Sequence, residues 1–257
     1  MVRRFLLLTY GLLCYLLSLA WFLCAVGFIG GFLTPTGLDG PRQGSLAAAL
    51  AIDGGLLLLF AVQHSGMARP GFKRWLTRFV PGPAERSTYV LLSSAALFLL
   101  FWQWRPLGGV IWEVPGEAAR AAVFVVYAVG WLTVFATTFL INHSDLFGLR
   151  QVWLAFRGLP YTPLRFTTPG PYRLVRHPLY VGWFMVFWAA PTMTAAHLLF
   201  AVGTTAYILI AIQLEEHDLI QSLGEAYREY RKEVPALIPF TRKRVARNGE
   251  TPAYNEG

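Results

Sequence analysis

Apolar residues run along this chain in long stretches, at residues 5–33, 46–64, 88–104, 119–141, 179–190 and 198–214, with polar connections between them. Each of the first four can cross a hydrocarbon core about 30 Å thick, which takes roughly 20 helical residues. The fifth is shorter and turns through Pro191, Thr192, Met193, Thr194 and His197 into the sixth, so this pair is expected to form a helical hairpin. Beyond Glu216 the period changes. Leu219, Leu223, Tyr227, Tyr230 and Val234 recur at intervals of three and four with charges between them, predicting an amphipathic helix against the bundle or the interface. Glu225 with Arg228, and Glu229 with Lys232, support that helix modestly. Gly224 interrupts it, and the close approach of a ligand or a neighbouring backbone is the expected reason.

The expected fold is therefore all-α, a polytopic helical membrane protein of about six apolar spans with an amphipathic C-terminal helix. One integral-membrane domain is expected over residues 1–240, its cofactor-binding part at 142–240, followed by a polar tail at 241–257. Composition agrees: 55% of residues are hydrophobic, 14% are charged and the mean hydropathy is +0.47. A soluble domain carries about 25% charged residues.

The net charge of +8 invites a nucleic-acid partner, but the basic residues flank apolar spans, and a membrane explains them better. Of the 22 Lys and Arg residues, 19 fall on one side of a six-span topology, leaving Arg42, Arg105 and Arg120 opposite. The positive-inside rule then predicts cytoplasmic termini and an even number of spans. The start, MVRRFLLL, is expected to be a retained span rather than a cleaved signal, because its apolar run is long and further spans follow. Cys14 and Cys24 lie together in the first span and offer no disulfide or zinc pattern.

On this topology His64, His143, His177 and His217 sit at inner ends of spans, joined by Asp145, Glu215 and Glu216, while His197 lies at the outer side. Ionisable groups at the edge of a membrane bundle are costly and point to a site. The connection 142–176 carries Pro160, Pro163, Pro169 and Pro171 and leads to Pro178, which excludes a regular helix near its end. Long ordered connections of this kind serve as binding loops or lids. Pro178 suits the first turn of the fifth helix, and Arg176 and His177 at that N-terminus suit a carboxylate or phosphate. Asp53 and His64 share one face of the second span but stand about 16 Å apart along it, so they are not one catalytic pair. No HxxxH, HxxHH, HExxH, CxxC, GxSxG or P-loop pattern occurs, which removes the usual support for metal, serine and P-loop chemistry. No metal ligand set is expected.

The strings PYRLVRHPLYVGW and EEHDLIQSLGEAYREYRKEVPALIP, within residues 171–239, resemble the membrane methyltransferases of the isoprenylcysteine carboxyl methyltransferase and phospholipid methyltransferase group. The pattern departs at Leu223, where that group leads one to expect an aromatic residue. The resemblance implies S-adenosylmethionine as cofactor, enclosed by Tyr172, Arg173, Arg176, His177, Pro178, Tyr180, Gly182, Glu215 and Glu216. Arg173 or Arg176 would engage the methionine carboxylate, Glu215 or Glu216 the ammonium or ribose hydroxyls, and Tyr180 or His177 the adenine. Earlier strings, QHSGMARPGFKRW, ERSTYVLLSS, FWQWRP and INHSDLFGLRQVW, resemble the bacterial methanethiol S-methyltransferases of the inner membrane, which make dimethyl sulfide, and the NnrU-like family with its haem-dependent isomerases.

The resemblance thus implies methylation of a small thiol at the cytoplasmic face, with membrane lipids as surroundings and no nucleic acid. A thiol titrating near 8.5 is scarcely ionised at neutral pH, so a base would help. His143 oriented by Asp145 is the expected base, with His64 second. The alternatives are a prenylcysteine carboxylate or lipid amine as acceptor, or a haem-binding isomerase or accessory protein with His64 and His143 as axial ligands.

Overall fold

The first helix, α1 (Val2–Gly30), ends where Gly31 takes a left-handed conformation and returns its N–H to Gly27. The computed structural model describes residues 1–241, so the tail expected over 241–257 lies, from residue 242 on, outside the described residues. Helix α2 (Leu46–Ala68) is capped by the Ser45 side chain, which accepts from the Ala48 N–H. Helices α4 (Glu85–Gln103) and α5 (Glu117–Ile141) follow, and both match the apolar stretches that predicted them. All four are long and apolar enough to cross a membrane, as is α9 (Ala195–Leu223).

The hairpin forms as expected, but its two arms differ. Helix α8 (Pro178–Trp188) has only 11 residues, about 16 Å of helix. The remaining distance is made up by extended chain, because strand β2 (Thr192–Thr194) pairs antiparallel with β1 (Val110–Glu113), which directly follows α4. That two-stranded tie fixes the hairpin tip at the far face, opposite the N-terminus. Thr194 caps α9 there, and His197 bonds Asp39 (3.3 Å) and the Phe187 carbonyl (3.2 Å), so this histidine tethers the far loops. The chain is a multi-pass helical membrane protein.

Packing between α5 and α8 is set by small residues. A Cβ on Gly182 would meet the Gly130 carbonyl at 2.9 Å and the Val134 nitrogen at 3.0 Å, so only glycine allows the two backbones this close. In lipid, where apolar contact alone drives little association, such close approach holds helices together. Above that crossing an aromatic core gathers Phe22, Trp131, Trp183, Phe187, Phe101 and Phe200 from five helices.

Three short helices were not foreseen. Helix α3 (Pro70–Leu76), helix α6 (His143–Leu146) and helix α7 (Leu149–Arg157) fold the second and fourth connections against the N-terminal face. Val152 of α7 packs into the gap left by Gly11 of α1, which has no room for a Cβ. The amphipathic C-terminal helix also differs from expectation. Helix α9 runs on through Glu215 and Glu216 to Leu223, and α10 (Glu225–Glu233) starts afresh after Gly224. No atom of the described residues lies within 4 Å of a Cβ built on Gly224, so no neighbouring backbone approaches it closely. Its φ of 61° with ψ of −130° is backbone that a side chain opposes, and this breaks the helix.

Candidate active site

The proline-rich connection enters α8 through a short 3-10 turn at Gly170–Arg173, and Arg176 and His177 then bond by their backbone N–H groups to the carbonyls of Pro235 (2.9 Å) and Ala236 (3.1 Å). The C-terminal segment after α10 is thereby stitched across the mouth of the hairpin. Beneath the stitch lies one carboxylate. Glu216 receives Arg176 Nε at 2.7 Å and Nη2 at 2.6 Å, His177 Nε2 at 3.1 Å and Arg231 Nε at 2.9 Å. Arg176 also donates through Nη1 to the carbonyls of Arg231 and Val234. Both Glu216 and Arg176 are buried, at 3% and 7% exposure, and their bonding capacity is nearly spent within the protein. They form the frame of the site rather than its open contacts.

Other residues of the same cluster remain open. Glu215, its side chain 46% exposed, accepts from the Tyr180 hydroxyl at 3.1 Å and stands 3.7 Å from His177 Nδ1. The His177 ring stacks on Tyr180, with centroids 5.5 Å apart. Arg173 is exposed and has no partner among the described residues. Burial, then the Glu215 carboxylate, pushes the Tyr172 phenol well above its usual range, so it is a neutral donor. Its carbonyl accepts from Tyr230 at 2.6 Å. Pro178 is buried at the first turn of α8, and Gly182 faces α5 in the helix crossing described above. These two residues of the motif build the helix and its packing rather than an open wall.

The two proposed base candidates are separated. His64, on α2, carries Tyr89 Oη against its ring (2.8 Å from Nε2) and Ser93 Oγ at 3.1 Å from Nδ1. Tyr207 of α9 stands edge-on to it and bonds the neighbouring Ser65 at 3.2 Å. His64 thus sits in a group of hydroxyls contributed by α2, α4 and α9, the last being the helix that carries Glu215. His143 is held by α1 and α5 instead: Tyr15 Oη holds its Nε2 at 2.9 Å and Thr138 Oγ1 its Nδ1 at 2.8 Å, and it stacks on Phe139. Nor is Asp145 its partner, because that carboxylate pairs with Arg150 at 3.0 Å and accepts from Tyr161 at 3.3 Å. The expected His143–Asp145 dyad is not formed. Burial lowers the His143 pKa below the usual imidazole value, so it is neutral at pH 7.

Tyr89, Ser93 and Tyr207 were missed by sequence reasoning. The available signal was a hydroxyl on an otherwise apolar span, and it was too common to single them out. His217 is exposed and pairs with Gln221, outside the cluster. The arrangement as a whole is an open carboxylate, an open guanidinium and several neutral phenols, set at the N-terminal face on a rigid buried ion-pair frame. A ligand bearing carboxylate, ammonium and hydroxyl groups matches that donor set, as the methyl donor expected from the sequence does.

The chain is 57% identical over 242 residues to a methanethiol S-methyltransferase of Crocosphaera subtropica, covering 94% of each protein. To the methanethiol S-methyltransferase of Mycobacterium tuberculosis it is 52% identical, covering 93% of this chain and 98% of the other. Bovine nurim is 36% identical over 74% of this chain and 78% of its own length. No solved structure matches. The family model described as NnrU protein matches residues 54–244. The chain belongs to the NnrU protein family.

Proposed function

We propose that the chain is a methyltransferase that moves a methyl group from S-adenosylmethionine to methanethiol, giving dimethyl sulfide at the cytoplasmic face of a bacterial inner membrane. The observation that carries this is near full-length identity, 57% and 52%, to two proteins named for that reaction. The open half of the Arg176–Glu216 cluster supports the choice of donor, since it offers both charges that an amino acid end requires.

When bound, S-adenosylmethionine supplies a methyl group already activated on a sulfonium. The protein must then orient the reactants and ionise the thiol. Glu215 holds the ammonium or the ribose hydroxyls with Tyr180 beside it, and Arg173 takes the carboxylate. Alignment of this kind contributes several kcal/mol in well-oriented reactions, about 7–11 at the upper end. His64 takes the thiol proton in this reading, because Tyr89 and Ser93 fix its ring and Tyr207 beside it lies on α9, the helix that carries Glu215. The thiolate is the nucleophile. His143, held between Tyr15 of α1 and Thr138 of α5, serves in this reading to join those two helices.

Purified protein incubated with S-adenosylmethionine and a panel of acceptors, with products identified by mass spectrometry, tests the assignment. Methanethiol is expected to be methylated, while prenylcysteine and phosphatidylethanolamine are not. Methylation of a lipid acceptor in preference to the thiol would overturn the acceptor.

A further inference from the structure

The strings that set this chain apart from the wider methyltransferase group bring His64, Tyr89 and Ser93 together, but their charged residues gather elsewhere. Lys73, Glu85, Arg86, Asn142 and Asp145 come from three of them, and all line a separate cavity of about 570 Å³ at the N-terminal face. That volume falls within the roughly 300–1,000 Å³ of small-molecule sites. Its outer wall is the proline-rich connection, through Leu159, Tyr161 and Leu164. That strap is fastened by Tyr161 to Asp145 and by Arg150 to the Thr162 carbonyl (2.9 Å) and hydroxyl (2.8 Å).

Inside the cavity, hydrogen-bonding groups of both kinds are left over. Glu85 Oε1 and Gln151 Oε1 are buried and have no hydrogen-bond partner among the described residues. Buried acceptors are normally satisfied, so two beside one cavity call for a donor from outside the chain. Arg86 spends only Nε, on the Leu146 carbonyl at 2.7 Å, and its guanidinium lies over the Tyr89 ring. Its terminal nitrogens and Lys73 Nζ have no hydrogen-bond partner among the described residues. The lining holds two cations, Lys73 and Arg86, and two carboxylates, Glu85 and Asp145, so a neutral zwitterion matches it better than a net charge. The cavity also sits where α4 begins and α5 ends, at the level of the membrane surface. Around it Trp75, Phe79, Trp153 and Leu159 remain exposed, as interfacial anchors do.

We propose that this cavity binds the headgroup of an amine-bearing phospholipid, the phosphate on Lys73 and Arg86 and the ammonium on Glu85 and Gln151. A choline headgroup fits poorly, because its quaternary nitrogen has no hydrogen to donate to either oxygen. Bound lipid would hold the strap in place, and the strap leads directly into the turn carrying Tyr172 and Arg173. The inference does not depend on the methyl-transfer reading.

The test uses the full chain, stripped of lipid in detergent, and titrates it with dihexanoyl phosphatidylethanolamine, dihexanoyl phosphatidylcholine and inorganic phosphate, followed by thermal stability and native mass spectrometry. The ethanolamine lipid is expected to bind saturably and at least about tenfold tighter than the choline lipid, from charge-assisted bonds that choline cannot make. Glu85→Gln should remove most of that preference and Lys73→Gln should weaken both lipids, each with lipid-free stability little changed. Equal binding of the two lipids would overturn the proposal, as would phosphate alone binding as tightly as the ethanolamine lipid. So would displacement of the lipid by S-adenosylmethionine, which would make the cavity part of the donor site. If Glu85→Gln fails to fold, the lipid comparison on the unaltered protein and on Lys73→Gln decides the matter.

Discussion

Arg176 and Glu216 stand 40 residues apart in the chain and 2.6 Å apart in space, buried where the entrance of α8 meets the exit of α9. A single carboxylate there gathers two arginines and a histidine, and the guanidinium of Arg176 reaches onward to the backbone after α10. The pair clamps three segments together, and the open contacts of the site hang from that clamp.

Arg176→Met is expected to destabilise the protein by about 3–5 kcal/mol, since one partner of a buried ion pair is left unpaired. Thermal unfolding in detergent measures this, and donor affinity should fall together with stability. The double variant Arg176→Met with Glu216→Leu should recover part of the loss. A stable Arg176→Met protein with weakened donor binding alone would make Arg176 a direct ligand instead.

Glu215→Gln should behave in the opposite way. Its side chain is half exposed and, among the described residues, its one hydrogen bond is to Tyr180, with His177 3.7 Å away, so unfolding should be little affected. Affinity for S-adenosylmethionine should drop about tenfold or more, the scale for loss of a charged hydrogen-bond partner. Calorimetric titration separates the two effects.

His64→Ala should lower turnover by about 10²–10⁴-fold, the usual contribution of a positioned base, with donor affinity retained. His143→Ala should cost less than tenfold in turnover on the same assay. The reverse ranking would return the base to His143.

Acid should weaken the fold through His143. Its folded-state pKa lies below the normal value, so the unfolded chain binds the proton more readily as pH falls through that range. The stability involved is present above about pH 6.5, the ordinary imidazole value, and is lost as pH drops toward the folded pKa. Thermal midpoints between pH 7 and 5 should therefore decline, and His143→Gln should flatten the decline.

The spans and the short hairpin were legible because lipid leaves no alternative for a long apolar run but a helix. The shared cluster of His177, Glu215 and Glu216 was legible too, from charges crowded at two helix ends. What could not be read was the division of labour within it. Glu215 and Glu216 are neighbours in sequence, yet a helix points them about 100° apart, so one is consumed by Arg176 and the other left open. Gly182 and Pro178 carried the motif without revealing that their task is packing. His143 and Asp145 looked like a dyad at close spacing, but Asn142 caps the turn between them and Arg150 draws the carboxylate away. Helix α7 was hidden because its amphipathic stretch stands within a connection dominated by proline.

The central claim, a donor gripped by Glu215 and its neighbours for transfer to a thiol, is tested most directly by isotope. Membranes carrying the protein are given methanethiol and S-adenosylmethionine deuterated in its transferable methyl group, and headspace dimethyl sulfide is analysed. The wild type should release dimethyl sulfide with one deuterated methyl, and Glu215→Gln should release far less until donor is raised to saturation. Folded wild-type protein that yields no labelled product, or a Glu215→Gln variant indistinguishable from it at low donor, would contradict the account.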